Sequence, residues 1–382
     1  MQIDLMSSEE MADPALTAHK LLSGGRVYHY TGFNPPFYIL SRYEDVNQAL
    51  LDAKTFTEGH GNGPTFQPPL GVLSDAPHHT FIRGLIQPDF LAKRISDLKP
   101  RLEVIVNELL DAVAQKPIWD LHDDLSFPLP VIIICEILGI PTNDIARFKR
   151  WADASVASMC SEDPTEYLAQ LDEMRDYLLK QIKLKRSVEG GEDLLSIIAH
   201  ARLDGDYLPD DETVGLAQQI FVAGNETTTS LITNLVWRLM TVGDLWADFC
   251  RGAIDIDDAI NESLRFDPPL LGLFKTTSQP VTIGETEIPA NSKVMMHYGA
   301  ANRDPAVFPE PNRFDPARAG KKMLSFSVGL HVCIGRELAK LEARVVLDAL
   351  RERLPNLKLV DEGERVGPFL FWGKSRLPVT SA

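Results

Sequence analysis

One cysteine of this sequence stands where a thiolate could act. Cys333 lies in the stretch "SFSVGLHVCIGRELA", between small residues and just before a strongly helical segment, whereas Cys135, Cys160 and Cys250 have no such setting. At the start of a helix, unpaired N–H groups and the positive end of the dipole stabilise an anion. A thiolate is therefore favoured at Cys333, and Gly335 beside it permits a tight backbone that can approach a flat ligand.

This stretch leaves three interpretations of Cys333 open. The first is a small hydrophobic residue of the core. The second is a nucleophile paired with His331, although alternating positions do not bring two side chains together easily. The third is the axial ligand of a haem, with Phe326 and the nearby Gly329 and Gly335 making room for the macrocycle. The other motifs decide among these.

A second candidate site lies in the middle of the longest predicted helix, Pro209 to Thr241, which reads "FVAGNETTTS" there. Gly224 and the β-branched run from Thr227 are poor helix formers, and such a breach of local rules is expected at a functional site. Ala223, Gly224 and Thr227 share one helical face, so a hollow opens beside a hydroxyl that can bond a carbonyl one turn back. Glu226 supplies a titratable group for proton relay. The alternative is a kink with a solvent-facing glutamate.

Three charged residues could form a network ahead of the cysteine. Glu262 and Arg265 in "NESLRFDPP" are three apart on a predicted helix that ends before the prolines, and Arg313 follows in "VFPEPNRFDPAR". A pair at this spacing is most often a weak surface ion pair. If buried, the three residues would instead lock the segment that leads to Cys333.

A further pair of cationic donors lies in "SDAPHHTFIRGLIQPDF". His79 and Arg83 are four apart and share one helical face, so together they could hold a pair of carboxylates. His79 could equally be a hydrogen-bonded core histidine.

Helical periodicity dominates the sequence. The main segments are Ile95 to Ala114, Pro164 to Arg186, Pro209 to Thr241, Ile254 to Arg265 and Arg336 to Leu354. Strand-like pieces are short and bounded by Pro and Gly: "PFYIL" from Pro36, "PVTIG" from Pro280, "KVMMHYG" from Lys293 and "GPFLFW" from Gly367. Since no repeat or long linker interrupts the chain, we expect one mainly α-helical domain with small β-sheets over residues 1–382, with residues 1–20 poorly ordered.

Composition excludes several classes of protein. A formal net charge of −16 would repel nucleic acid. The four cysteines are too widely spaced for a disulfide framework, a zinc site or an iron–sulfur cluster, which indicates a reducing compartment. No window approaches the roughly 20 apolar residues of a spanning helix, so we expect a cytoplasmic protein without a membrane anchor. No glycine-rich nucleotide loop occurs, so the chain carries no flavin or nicotinamide site of its own.

Taken together, these motifs resemble those of the cytochrome P-450 superfamily of haem-thiolate monooxygenases, in its soluble bacterial form, over nearly the whole chain and in the same order. "FSVGLHVCIG" looks like the family's haem-ligand loop, with its key positions at Phe326, Gly329, His331, Cys333 and Gly335. "AGNETT" is similar to the family's oxygen-activation motif, and "ESLR" to its Glu-x-x-Arg pair.

The resemblance implies a cytochrome P-450 fold, in which haem b lies between the long central helix and the helix that follows the cysteine loop. The residues that would contact the haem are Cys333 as the iron ligand, His79, Arg83 and Lys275 at the propionates, and His331, Phe326 and Gly224 around the ring. Lys275 stands near the place where the family commonly carries an arginine, with the spacing off by one. Glu226 and Thr227 would deliver protons, and Glu262, Arg265 and Arg313 would form the family's structural triad.

The implied reaction inserts one atom of O2 into a C–H bond of a small hydrophobic substrate, such as a terpenoid, fatty acid or steroid. The predicted pocket is lined by Phe66, Leu70, Phe221, Ala223, Leu271, Phe274 and Phe369, which are mostly apolar. Two alternatives stay open: a haem-thiolate peroxygenase or isomerase, and a non-catalytic haem sensor or carrier. The presence of both Glu226 and Thr227 argues against each of them.

Electrons would come ultimately from NAD(P)H through external partners, an acidic ferredoxin and its reductase. A basic cluster near the cysteine loop is the predicted docking surface, and it comprises Arg318, Lys321, Lys322, Arg336, Lys340 and Arg344. Charge there would mainly steer the encounter. The alternative is ordinary solvated charge.

Overall fold

The computed structural model describes residues 3–318 and 322–381. Its α-helices are α1 Ser8–Ala12, α2 Pro14–Ser23, α3 Tyr43–Leu51, α4 His78–Ile86, α5 Ala92–Asp97, α6 Lys99–Val113, α7 Pro128–Leu138, α8 Ile145–Met159, α9 Leu168–Arg186, α10 Leu194–His200, α11 Asp210–Thr241, α12 Leu245–Cys250, α13 Ile256–Phe266, α14 Tyr298–Ala301 and α15 Arg336–Arg353. Short 3₁₀ turns cover Gln87–Phe90, Pro164–Tyr167 and Gly329–His331, and a π-helical turn covers His122–Ser126.

The strands are short and form small sheets. They are β1 Val27–Tyr30, β2 Phe37–Leu40, β3 Phe56–Thr57, β4 Trp119–Asp120, β5 Arg202–Leu203, β6 Asp206–Tyr207, β7 Leu273–Thr277, β8 Val281–Ile283, β9 Thr286–Ile288, β10 Lys293–Met296, β11 Lys358–Leu359, β12 Glu364–Arg365, β13 Lys374–Arg376 and β14 Pro378–Thr380. The largest sheet has the order β1-β2-β10-β7-β3, with β2 and β10 parallel and the other pairs antiparallel. The segment "GPFLFW" forms no strand and makes a single bridge, Leu270 to Phe371.

The helix α11 is the centre of the molecule, and its bounds agree with the predicted ones. Three acidic residues in its first turn, Asp210, Asp211 and Glu212, complement the positive end of the helix dipole. The middle and end of the helix are buried almost all round, as expected for a helix enclosed by others. It packs against α7, α9, α13 and α15.

Two predicted helices are interrupted by proline. Between α5 and α6 the chain turns at Leu98, and Pro100 occupies the first turn of α6, where its missing N–H costs nothing. Likewise Pro164 opens a 3₁₀ turn that precedes α9. Periodicity alone does not detect such breaks, because the apolar face continues across them.

The expectation of a poorly ordered start is wrong for the described residues 3–20. Ile3 and Leu5 are buried in a core cluster with Tyr30 and Phe33, and α1 and α2 follow at once. The carboxylate of Glu10, 5% exposed, accepts hydrogen bonds from the Thr17 hydroxyl and the Lys20 ammonium. Apolar burial and this polar network order the segment, although it has few of the long apolar runs that predict a core.

Hydropathy along the helices agrees with the absence of a spanning segment. Among the described residues, no helix combines the length and the apolar character that crossing a membrane requires.

Candidate active site

Cys333 lies in a loop held by its own backbone. Its N–H donates to Phe326 O at 2.8 Å, and a 3₁₀ turn from Gly329 to His331 lies between the two residues. Gly329 has φ +76°, and a Cβ there would lie 2.9 Å from Leu50 O, so glycine is required at this position. Helix α15 begins three residues after Cys333. The Cys333 side chain is exposed, unlike those of Cys135 and Cys160, so it is not a core hydrophobe.

Opposing effects act on the Cys333 thiol. Enclosure by protein raises the pKa of the thiol, whereas the Gly335 and Arg336 N–H groups and the Arg83 guanidinium lower it. The predicted stabilisation by the start of α15 is therefore present. The protein atoms around the sulfur, which leave it accessible to solvent, outweigh that stabilisation. A bound metal ion would supply the positive charge that keeps this sulfur deprotonated.

Three basic side chains cluster near Cys333. The rings of His79 and His331 are tilted by 54° with centroids 4.2 Å apart, and burial lowers the pKa of His79 and brings that of His331 to about 2. Among the described residues, both ring nitrogens of His79 and Nε2 of His331 have no hydrogen-bond partner. Burial also lowers the pKa of Arg83, while the charge of Cys333 opposes that shift. Unpaired buried donors of this kind suit an anionic ligand, and a haem with two propionates fits them.

Lys275 contacts a different group from the predicted one. Its ammonium, on β7, forms a buried ion pair with the Glu58 carboxylate, and its charge lowers the pKa of both His79 and His331. The lysine is thus beside the histidines, but Glu58 already neutralises it. A buried charge requires such a partner, and no local pattern indicated that Glu58 lies near Lys275.

In α11 the predicted hydrogen bond of Thr227 is present. Thr227 Oγ1 donates to the carbonyl of Ala223, one helical turn earlier, at 2.8 Å. Ala223 is exposed and Thr227 is half-buried, although their neighbours are buried. Gly224 contributes differently from the prediction, because a Cβ there would lie 3.2 Å from Ile134 of α7. The glycine therefore serves close helix packing.

Glu226 does not face solvent. It is 4% exposed, and burial raises the pKa of its carboxyl, while the charges of His122 and Lys149 lower it and that of Asp153 raises it. A carboxyl shifted in this way is suited to hold and release a proton. Sequence reasoning missed His122, since it lies more than a hundred residues from Glu226.

A buried network braces the cysteine loop. Arg265 donates to both carboxylate oxygens of Glu262, at 2.7 and 2.8 Å, and to Asn302 O at 3.0 Å. The Asn302 side chain in turn bonds Leu324 N and Ser325 Oγ, both at 2.8 Å. Through Asn302, the Glu262–Arg265 pair is thus joined to the segment that leads to Cys333.

Arg313 is the wrong third member of that network. Its guanidinium is 62% exposed and pairs with Glu310 and Asp315, and only its carbonyl accepts from Arg265. The side chain that reaches Glu262 is Arg318, with Nε 3.3 Å from Oε1. Both arginines follow prolines in the same irregular segment, so residue type and spacing did not distinguish them.

Fewer residues of the predicted basic cluster are available for docking than the sequence suggested. Arg318 is only 12% exposed because it turns inward to Glu262, so it does not belong to a docking surface, and Lys321 lies outside the described residues. Lys322 is exposed. The other three cations have polar partners: Arg336 pairs with Glu337, Lys340 bonds Asn261 and Arg344 pairs with Asp257. Helix α5 packs beside α15 and adds Arg94, 65% exposed, which the sequence did not indicate.

Several predicted pocket residues are packed elsewhere. Phe221, 2% exposed, lies against Phe148, and Phe274, 0% exposed, lies edge-on to Phe37. Both are core residues and not pocket walls. Leu271 and Phe369 are also buried, whereas Ala223 and Leu70 remain accessible.

The Gly/Pro-rich loop of residues 58–74 is attached at two places. Near its end, the Gln219 side chain of α11 donates to Leu70 O at 2.8 Å and accepts from Val72 N at 3.0 Å. Near its start, the buried Lys293 ammonium of β10 donates to His60 O and Gly61 O at 2.6 and 2.9 Å. Residues 66–69 between these attachments are exposed.

Comparison with known proteins agrees with this geometry. The family model described as "Cytochrome P450" matches residues 256–355. The cytochrome P450 monooxygenase PikC of Streptomyces venezuelae is 39% identical over 96% of this chain and 90% of its own length. The vitamin D(3) 25-hydroxylase of Pseudonocardia autotrophica is 34% identical over 90% and 88%. The crystal structure of CYP109E1 from Bacillus megaterium in complex with testosterone has a TM-score of 0.89 at 27% identity, covering 98% and 99% of the two chains.

Proposed function

Because the chain belongs to the cytochrome P450 family, we propose that it hydroxylates a small hydrophobic molecule such as a terpenoid, fatty acid or steroid, with electrons from a separate ferredoxin. The family's cofactor is haem b, its co-substrate is O2, and its electrons come from NAD(P)H through redox partners. The predicted fold, mainly α-helical with small sheets, and the monooxygenase class are confirmed by the comparisons.

The residues of the site fit haem b. Cys333 would bind the iron, His79 and Arg83 would bind the propionates, and His331 would lie beside the ring. Among the described residues, both ring nitrogens of His79 and Nε2 of His331 have no other partner. When bound, the haem supplies the activation of O2 that no side chain can provide. The network of Glu262, Arg265 and Arg318 would hold the cysteine loop in position, so that the sulfur needs no rearrangement to bind.

Glu226 and Thr227 would manage protons in this reaction. The bond from Thr227 Oγ1 to Ala223 O uses the hydroxyl proton, so the oxygen keeps its lone pairs for a donor on the exposed side. Glu226 would hold a proton in a buried carboxyl of raised pKa and pass it toward Thr227. Excluding bulk water from this region prevents protons from arriving in an uncontrolled way.

Support for the substrate class comes from two directions. The loop around Leu70 and Val72 and the helix face at Ala223 offer an apolar surface, which favours hydrophobic ligands. One relative is named for vitamin D(3), and one solved relative contains testosterone. A rigid polycyclic substrate loses little conformational entropy on binding such a surface.

Ferredoxin docking would use the exposed cations near α15. Arg94, Lys322 and Arg336 stand out from a chain whose formal charge is −16, and a local positive field would steer an acidic partner.

The observation that carries this proposal is an exposed Cys333 beside two histidines whose buried ring nitrogens have no partner among the described residues. The test is the absorption spectrum of the reduced, purified protein with carbon monoxide. A strongly red-shifted Soret band that disappears in Cys333→Ser but persists in Cys250→Ser is the expected result. A haem band without that shift in the unaltered protein would refute thiolate ligation.

Titration with steroids, terpenoids and fatty acids, followed by the displacement of iron-bound water in the spectrum, tests the substrate class. We expect a spectral shift with at least one of them. Binding restricted to small polar molecules would contradict the proposal.

A further inference from the structure

A polar region lies behind Glu226, on the side of α11 away from Ala223. Asn225 is 0% exposed, and neither its amide oxygen nor its amide nitrogen has a partner among the described residues. The Ser126 hydroxyl is also fully buried and has no partner among the described residues. Helix α11 and the π-helical turn that ends at Ser126 meet here, since Thr229 Oγ1 donates to Ser126 O at 3.1 Å. Buried polar groups of this kind are characteristically satisfied by ordered water.

His122 connects this region to the surface. It begins the π-helical turn that ends at Ser126, and it is 1% exposed. Its Nδ1 lies 2.7 Å from Oδ1 of Asp123, whose side chain is 60% exposed. A π-helical turn often marks a functional site, and an imidazole can carry a proton between its two nitrogens.

The surroundings of His122 contain further charges. Lys149 Nζ of α8 lies 3.9 Å from Asp123 Oδ1 and 3.7 Å from Asp153 Oδ2. The charges of His122, Lys149 and Asp153 all act on the Glu226 carboxyl. The buried glutamate and the exposed carboxylates therefore belong to one electrostatic group, with the imidazole among them.

We propose that His122 relays protons from solvent at Asp123 to Glu226, through water held by Asn225 and Ser126. This inference rests on the proposed role of Glu226. It adds a path by which Glu226 regains a proton without opening the substrate side of α11 to bulk water.

The relay balances in protons. In each passage Nδ1 takes one proton from solvent through Asp123, and Nε2 releases one through water to the Glu226 carboxylate. The imidazole ends neutral, as it began, but with its proton on Nδ1. After rotation about its Cβ–Cγ bond, the next proton enters at Nε2 and the Nδ1 proton leaves toward Glu226, which returns the first tautomer. Lys149 remains a fixed positive charge that keeps Asp123 and Asp153 from repelling one another, and it gives up no proton.

The test compares His122→Gln and Asp123→Asn with a control in the same turn. Asp124→Asn is that control, because Asp124 bonds Lys116 and Asp120 N and not His122. We expect the rate of coupled product formation to fall about 100-fold in His122→Gln and Asp123→Asn, at the low end of general acid–base effects, with a larger solvent deuterium isotope effect. Haem content and substrate affinity should stay unchanged. Asp123→Asn, at an exposed position, keeps the test valid if His122→Gln does not fold.

A second readout needs no turnover. The infrared carboxyl stretch of Glu226, identified by its loss in Glu226→Gln, should titrate at higher pH in His122→Gln, because the charge that the imidazole carries when protonated no longer lowers the pKa of the carboxyl. A crystal structure should contain ordered water between Asn225 and Ser126.

The outcomes separate the two proposals. If Glu226→Gln abolishes coupling while His122→Gln and Asp123→Asn behave like Asp124→Asn, Glu226 keeps its role and the His122 route is refuted. If Glu226→Gln is itself without effect, the proposed role of Glu226 fails first, and the relay fails with it.

Discussion

Arg318 Nε lies 3.3 Å from Glu262 Oε1, and the exposed Arg313 guanidinium lies outside that buried network. Arg318 also donates to the carbonyls of Pro309, Glu310 and Arg313. One side chain thus joins the helix α13 to the irregular segment that precedes the cysteine loop.

Alanine substitution should distinguish the structural role of Arg318 from that of Arg313. We expect Arg318→Ala to lower the free energy of unfolding by about 3 kcal/mol, because the change leaves a buried carboxylate with one cation fewer. Haem retention should fall with it. Arg313→Ala, the matched control, should change stability by less than about 0.5 kcal/mol, as for a surface residue. Urea denaturation measures both, and equal losses would contradict the assignment.

Thr227→Ala should uncouple the reaction. Loss of the hydroxyl removes the donor and acceptor nearest to the exposed face of α11, so reductant should still be consumed but appear as peroxide, with coupled product down about 100-fold. Thr241→Ala is the control, since Thr241 makes the same bond to the carbonyl one turn back, Trp237 O, at the end of the helix. The ratio of product to NAD(P)H consumed is the measurement. Full coupling in Thr227→Ala would exclude a role in proton delivery.

His79→Ala should weaken haem binding. A charge-assisted hydrogen bond contributes about 1.5–3 kcal/mol, so haem should dissociate roughly 10- to 100-fold more readily, as followed by transfer to a haem-binding acceptor protein. His78→Ala tests the neighbouring position, where the imidazole pairs with Glu212 instead. Haem loss that is the same in both variants would argue against propionate binding by His79.

Acid should destabilise the protein through His297. This residue is 1% exposed, and burial lowers its pKa from 6.5 to about 4. Since the unfolded chain binds the proton more readily, stability is lost as the pH falls from about 6.5 toward 4, by about 3 kcal/mol from this group. His297→Asn preserves a side-chain acceptor for Ala300 N and should flatten that part of the curve. Urea titrations between pH 4 and 7 provide the comparison, and an unchanged slope would be contrary evidence.

Reversing the exposed cations should slow electron transfer. Lys322→Glu combined with Arg336→Glu should lower the rate of reduction by ferredoxin at low ionic strength, with the difference disappearing at high salt. Arg202→Glu on the β5–β6 hairpin, an exposed arginine on another element, is the control. Stopped-flow reduction kinetics report the rate, and a salt-independent effect would point away from docking.

The long helix, the cysteine loop and the Glu262–Arg265 pair were predictable because each is defined by local pattern. Thr227 bonds Ala223 within one turn, so sequence spacing specifies the contact. The same is true of Glu262 and Arg265, three residues apart.

Contacts between distant segments were not predictable in this way. Lys275 meets Glu58 across 217 residues, and His122 enters the electrostatic surroundings of Glu226 through the packing of the π-helical turn on α11. Phe221 and Phe274 show the same limit, because aromatic type indicates burial but not whether the side chain faces the core or a ligand. Arg313 and Arg318 differ only in the direction that an irregular segment gives them.

The two attachments of the loop 58–74 divide it into parts with different tolerance for mutation. Gln219 and Lys293 hold its ends through backbone carbonyls and one amide, so these bonds do not depend on the side chains that lie between them. Phe66 packs against His60 and the Lys293 ammonium, so residues 67–69 are those that can be varied without loss of the attachments. Directed evolution of substrate range should concentrate there, since selectivity and folding stability are carried by separate residues.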